Sequence, residues 1–124
     1  MMNKLDANFN FLESSLRALS RRQETLSSNI VNGDTPGYKA QDFDFKRAIE
    51  DATLRSQDAS ASRYMHENVA SSYLLQRHNP AGLDGNNVNL DQERMELAEN
   101  AIKYESAVSL AQIDIKNLLS VLQG

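Results

Sequence analysis

The sequence has no cysteine, only two prolines and five glycines, and 6% aromatic residues in 124. Without cysteine there is no disulfide framework, no thiolate nucleophile and no thiolate zinc or iron–sulfur site, so the redox compartment stays open. Scarce glycine, proline and aromatic residues count against a β-sandwich, whose turns consume them. Basic residues are in deficit as well: 17 acidic against 13 basic side chains give a net charge of -4, with a pI near 5.1. Nucleic acids and anionic membranes draw nonspecific binding energy from an excess of Lys and Arg, so the acidic balance argues against both as partners. No apolar run approaches the roughly 20 residues of a spanning helix. Lys4, Asp6, Glu13, Arg17, Arg21 and Arg22 interrupt the first 30 residues, so neither a membrane anchor nor a cleavable secretion signal is expected. The length suits one domain.

What the sequence does have is periodicity. Leu5, Phe9, Leu12, Leu16, Leu19, Leu26 and Ile30 follow steps of four and three, with Gln23 in the one polar slot of the series. This heptad stripe predicts a helix of roughly 39 Å. Asn32 and Gly33 suit the left-handed position at its C-terminus, and Pro36 biases Thr35 away from helix. A second stripe runs through Leu97, Ala101, Tyr104, Val108, Ala111, Ile115, Leu118 and Leu122. Asn89 and Gln92 have the form of a capping box at its start, with Asp91 and Glu93 placed where the helix dipole favours negative charge. From Leu90 to Leu122 that helix reaches about 50 Å. Met95, Ala98, Ile102, Leu110, Ile113, Leu119 and Val121 widen its apolar surface beyond what one partner helix covers.

The middle differs. It holds a Pro/Gly turn, the alternation Asp42-Phe43-Asp44-Phe45, a polar run from Gln57 to Arg63 and a turn-rich stretch from Asn79 to Asn89. A short helix is expected over residues 44–54, with Phe45, Ile49 and Ala52 on one side, and a short strand within 68–77, where Val69, Ser71, Tyr73 and Leu75 share a face. The predicted fold is therefore mainly all-α: long N- and C-terminal heptad helices pair as an antiparallel coiled-coil hairpin around a short irregular middle with a small β element. The expected parts are residues 1–32, 33–88 and 89–124 of one structural domain. A hairpin covers only one side of each helix, so the two stripes predict an assembling protein.

A search for catalytic chemistry finds no phosphate-binding glycine loop, nucleophile elbow, dinucleotide fingerprint or His-Glu-x-x-His pair. His66 and His78 lack a second histidine at ligand spacing and read as surface residues. The oxygen-rich run from Asp84 to Asn89 has the wrong spacing for a calcium loop and reads as a turn leading into a helix cap. Glu93, Glu96 and Glu99 step by three and could line an acid–base face; with Arg94 and Lys103 interleaved they read instead as a solvated face. Arg21 and Arg22 read as a basic pair meeting carboxylates or water.

The most specific stretch runs from Ser27 to Ala40. Asn29 and Asn32 can bond the last-turn backbone, Pro36-Gly37 suits a type II turn and Tyr38 can fold back on the helix end. Asn29, Asn32, Thr35, Pro36, Gly37, Tyr38 and Lys39 match a motif near the N-terminus of bacterial flagellar axial proteins, the rod, hook and hook-associated subunits, which this chain resembles. Val31 and Gly33 stand where those proteins commonly carry alanine. The run from Ala40 to Phe45, together with Leu83 to Val88, is similar to the small proximal rod members in particular.

The resemblance implies a non-enzymatic building block without cofactor, metal, small-molecule substrate or nucleic-acid ligand. It implies export through the flagellar type III apparatus and a place in the periplasmic rod of the basal body. It also implies terminal helices that are largely disordered in the monomer and pair on assembly. The implied partners are other copies, other rod proteins, the adaptor protein FliE and the export gate. The competing reading of the residues is a cytoplasmic helical-bundle adaptor or export chaperone.

Overall fold

The computed structural model describes residues 4–56 and 73–124. In chain order the elements are helix α1 (Lys4–Val31), strand β1 (Gln41–Phe43), helix α2 (Phe45–Ser56), strand β2 (Leu74–Gln76) and helix α3 (Leu90–Gln123). The two long helices pack antiparallel, as the stripes predict: Asn29 near the end of α1 meets Glu93 in the first turns of α3, and Gln23 meets Asn100.

No glycine or proline interrupts α1 over its 28 residues. Its end departs from expectation. Among the described residues only Gly37 and Gly85 have positive φ, so neither Asn32 nor Gly33 supplies a left-handed cap. The Gly33 N–H bonds the Ile30 carbonyl at 3.1 Å, and the Asn32 amide takes the Ser28 carbonyl at 2.8 Å, which satisfies last-turn acceptors without that geometry. Gly33 serves instead by having no side chain. A Cβ there would lie 2.8 Å from Cδ2 of Leu90, where the end of α1 touches the start of α3.

Asp44 caps α2, its Oδ1 accepting from the Arg47 N–H at 3.1 Å, so the second half of the Asp-Phe alternation starts a helix. β1 and β2 pair antiparallel with Phe43 opposite Leu74. Within the expected strand region Tyr73 is buried while Leu75 is exposed, so the two do not share a buried face. Residues 68–72, like the polar run 57–63 and His66, lie outside the described residues. Phe43 and Tyr73 meet edge to face with ring centroids 5.9 Å apart, and with Ala18 they form a small core that Phe45, Ala48 and Ile49 close from α2. Tyr73 also bonds Asp51 of α2 at 2.8 Å, so this core ties the middle to one flank of α1.

α3 begins as the capping residues predict, with Asn89 Oδ1 accepting from the Gln92 N–H at 3.2 Å. The Gln92 side chain does not return to the cap; it accepts from Asn79 at 3.1 Å. Glu93, Asn100 and Ala107, one heptad apart, are the buried line of α3. That line lies beside the apolar stripe rather than on it. Against it α1 sets Leu19, Gln23 and Asn29, whose bonds to Asn100 and Glu93 carry polar contacts across the seam.

Candidate assembly site

The motif residues build the head of the hairpin, where α1 ends and α3 begins. Asn29 is fully buried and makes four hydrogen bonds. Its Nδ2 donates to the Gln41 carbonyl at 2.5 Å and to Glu93 Oε2 at 2.9 Å. Its Oδ1 accepts from the Gln41 N–H and the Tyr38 hydroxyl, both at 3.1 Å. The expectation that Asn29 bonds the last helical turn is thus corrected: its amide reproduces a strand's hydrogen-bonding edge for Gln41 and reaches α3 with what remains. Asn32 accepts from the Thr35 hydroxyl at 3.1 Å. Tyr38 folds back on the helix, as its position suggested.

The Tyr38 N–H bonds the Thr35 carbonyl at 3.2 Å and Gly37 has φ 75°, which together with Pro36 defines the type II turn. A Cβ on Gly37 would meet nothing within 4 Å, so the requirement is conformational and not steric. Gly37→Ala is expected to cost about 1–2 kcal/mol and Gly37→Asn less, because asparagine tolerates the left-handed region. Urea denaturation of the two variants checks this; equal losses would mean that side-chain size governs the position.

A second turn docks on the first. The Gly85 N–H bonds the Gly82 carbonyl at 2.9 Å, Gly85 has φ 82°, and Asp84 Oδ1 accepts from the Asn86 N–H at 3.1 Å. The Gly37 N–H reaches the Asp84 carbonyl at 2.8 Å, and Lys39 Nζ reaches the Gly85 carbonyl at 2.5 Å. Asn86 Nδ2 bridges the carbonyls of Asn32 and Thr35 at 2.9 and 2.8 Å. Asn87 accepts from the Ala40 N–H at 2.6 Å and donates to the Arg77 carbonyl at 3.0 Å. The oxygen-rich run is therefore a set of backbone clamps. Nothing in its spacing showed that its partner is the Pro36-Gly37 turn.

Below the clamps lies a charge cluster that sequence reasoning misplaced. Glu93 is fully buried and the Glu96 side chain is 16% exposed, so they are not the solvated face expected; Glu99 is exposed. The reason is supplied by two arginines. Arg77, beyond β2, bonds Glu93 at 3.2 Å, pairs with Glu96 and lies 3.6 Å from Asp42. Arg22 of α1 bonds Asp42 at 3.1 Å and reaches Glu96 at 3.5 Å. Burial by itself would lower the Arg77 pKa; the hydrogen bond to Glu96 and the charges of Asp42, Glu93 and Glu96 outweigh it and hold the group above its ordinary value. Arg77 is thus a permanent cation linking the middle to the hairpin. Of the pair Arg21 and Arg22, the first stays exposed beside Glu24 and the second enters this cluster.

The stripe residues divide into two sets. Leu12, Leu19 and Leu26 are buried, and Phe9, Leu16 and Ile30 half-buried, while the Leu5 side chain lies outside the described set. On α3, Leu97, Ala101, Val108, Ala111 and Leu118 are half-buried, whereas Tyr104, Ile115 and Leu122 are exposed. Met95, Ile102, Leu110, Ile113, Leu119 and Val121 are exposed as well, so α3 shows apolar side chains well outside the face that α1 covers. A helix with so wide an apolar surface is suited to further burial, which a single hairpin partner does not provide. Among the described residues no helix is long and apolar enough to cross a membrane.

A family model described as flagella basal body rod protein matches residues 9–39, which cover most of α1 and the whole Pro36-Gly37 turn. Curated relatives named flagellar basal body rod protein FlgB align over essentially their whole length. That of Buchnera aphidicola subsp. Acyrthosiphon pisum is 38% identical, with 100% of both chains covered. That of Escherichia coli K12 is 34% identical over 100% of this chain and 99% of its own. That of Salmonella typhimurium is 32% identical, with the same coverage.

Proposed function

Because the chain belongs to the FlgB family of flagellar basal body rod proteins, we propose that it is a structural subunit of the proximal rod and that its two long helices are the packing elements. The observation that carries this reading is the apolar surface of α3, exposed from Leu110 to Leu122 although α3 is already paired with α1. Neighbouring subunits cover that surface in the rod, and contacts that repeat head to tail without closing extend it along an axis. Export through the flagellar type III apparatus precedes assembly. FliE and the export gate lie at its base, other rod proteins lie beyond, and torque passes through the packed helices. The parts 1–32, 33–88 and 89–124 then have distinct work: two packing helices, and a middle whose turns set the angle between them. The chain needs no catalytic group for this, and we assign it no enzymatic activity.

The experiment is to isolate detergent-resistant basal bodies from source cells and search them for this chain by mass spectrometry. Its presence there is the expected result. Confinement to the cytosol of flagellated cells would overturn the reading and favour a cytoplasmic adaptor.

A further inference from the structure

Asn32 is the one asparagine of the chain that a glycine follows. Glycine has no side chain to shield its backbone nitrogen, and an asparagine before it readily loses its amide. The Gly33 nitrogen attacks Cγ of Asn32, the Cγ–Nδ2 bond breaks, and the Gly33 proton leaves with the amide as ammonia, closing a five-membered imide. Water then opens the ring at either carbonyl. One product is aspartate. The other is isoaspartate, whose main chain runs through Cβ and is one atom longer. Asn29 lies before the β-branched Ile30, which shields the corresponding nitrogen.

The head of the hairpin holds this reaction back. Asn32 Nδ2 turns back along α1 to the Ser28 carbonyl at 2.8 Å, and Oδ1 accepts from the Thr35 hydroxyl at 3.1 Å. The Asn32 carbonyl accepts from the Thr35 N–H at 3.1 Å and from Asn86 Nδ2 at 2.9 Å. The attacking nitrogen is engaged as well, its N–H donating to the Ile30 carbonyl at 3.1 Å. The Thr35 bond polarises the amide, but ring closure needs the nucleophile in line, and here it is bonded elsewhere. Reaction must wait for the head to open.

The product does not fit the closed head. A carboxylate at position 32 sets an oxygen against the Ser28 carbonyl, where Nδ2 now donates. A longer main chain also separates the carbonyls of Asn32 and Thr35, which Asn86 bridges.

We propose that Asn32-Gly33 is a self-modifying site, which loses ammonia while the head is open and is kept as the amide once the head closes in the rod. The protected state rests on the rod reading; the reactivity does not. Chains are thereby marked by the time they wait before assembly.

Trypsin releases the site in one peptide, residues 23–39, which also carries Asn29 as an internal control. The purified full chain in guanidinium and intact basal bodies are held in the same mildly alkaline buffer, and this peptide is followed from both by mass spectrometry. The unfolded chain is expected to gain the mass of amide-to-acid conversion at Asn32, with isoaspartate beside aspartate and Asn29 unchanged. In intact basal bodies the gain is expected to be at least about tenfold slower, since reaction there waits for local opening. Gly33→Ala in guanidinium is expected to react more slowly than the parent.

Equal rates in the two samples would overturn the protection. An amide that persists at Asn32 in guanidinium, or an equal rate in Gly33→Ala, would overturn the reactivity. Absence of the peptide from basal bodies would fail the rod reading and the protected state with it, while the reactivity is still decided on the purified chain.

Discussion

Cells carrying Ile115→Asp are expected to be non-motile, with the variant chain made at normal levels but missing from their basal bodies. Ile115 is 47% exposed in the hairpin, so the isolated fold has little at stake, and the purified variant should unfold within about 0.5 kcal/mol of the parent. In an assembly that covers this face the balance is different. Each subunit loses about 1.5–3 kcal/mol of apolar burial and must also bury a carboxylate without a partner, which together reduce incorporation by at least about a hundredfold. Leu19→Asp would be a poorer probe, because Leu19 is 3% exposed and its loss breaks the hairpin itself. Swarming assays, immunoblots of basal bodies and a urea titration of the purified chain make the comparison. Normal motility with normal incorporation would remove α3's outer face from the assembly surface.

Arg77→Ala is expected to be among the most damaging single changes to the fold. It leaves Asp42, Glu93 and Glu96 with Arg22 as the remaining cation of the cluster, and Arg22 makes no ion pair with Glu93. Removing one partner of a buried charge network costs about 3–5 kcal/mol. At the lower end of ordinary stabilities, about 0.05 kcal/mol per residue, a chain of 124 residues has only about 6 kcal/mol to lose. Arg17→Ala is the contrasting case. Arg17 pairs with Glu13 at 2.7 Å, but both side chains are about 60% exposed, and such a pair contributes less than about 1 kcal/mol. Chemical denaturation followed by circular dichroism should separate the two variants clearly. Equal, small losses would mean that water still reaches the cluster and screens it.

The features legible in the sequence were those encoded by near neighbours. Both long helices, the Asn89 cap, the short helix after Asp44 and the Pro36-Gly37 turn depend on spacing within a few residues, and each formed where its pattern lay. The polar slot at Gln23 was visible too, although its partner was not. What escaped depends on residues far apart in the chain. Glu93 looked like a surface carboxylate because its charge says nothing about where a counter-ion will come from; Arg77 lies 16 residues earlier, at the edge of a two-stranded sheet. Asn29 looked like a helix stop, yet it serves Gln41 and Glu93. Gly33 was read for its backbone freedom and is used for the space its missing side chain leaves to Leu90. The buried line of α3 falls beside the apolar stripe for a related reason: hydrophobicity marks every face that will be covered, by this chain or by another, and periodicity alone does not say which comes first.

The docking of the two turns has a consequence for the length of the chain between them. Bonds from Gly37 to Asp84 and from Asn87 to Tyr38 bring together the two ends of the segment that leaves α1 and returns to α3. Ring closure at that base is met once, and its entropy grows only with the logarithm of the enclosed length. Doubling the enclosed segment would add about 0.6 kcal/mol. With its base closed by backbone bonds and its near side held by Arg77, the hairpin is thermodynamically almost indifferent to how many residues the loop contains, so the middle is where this architecture is free to lengthen or shorten.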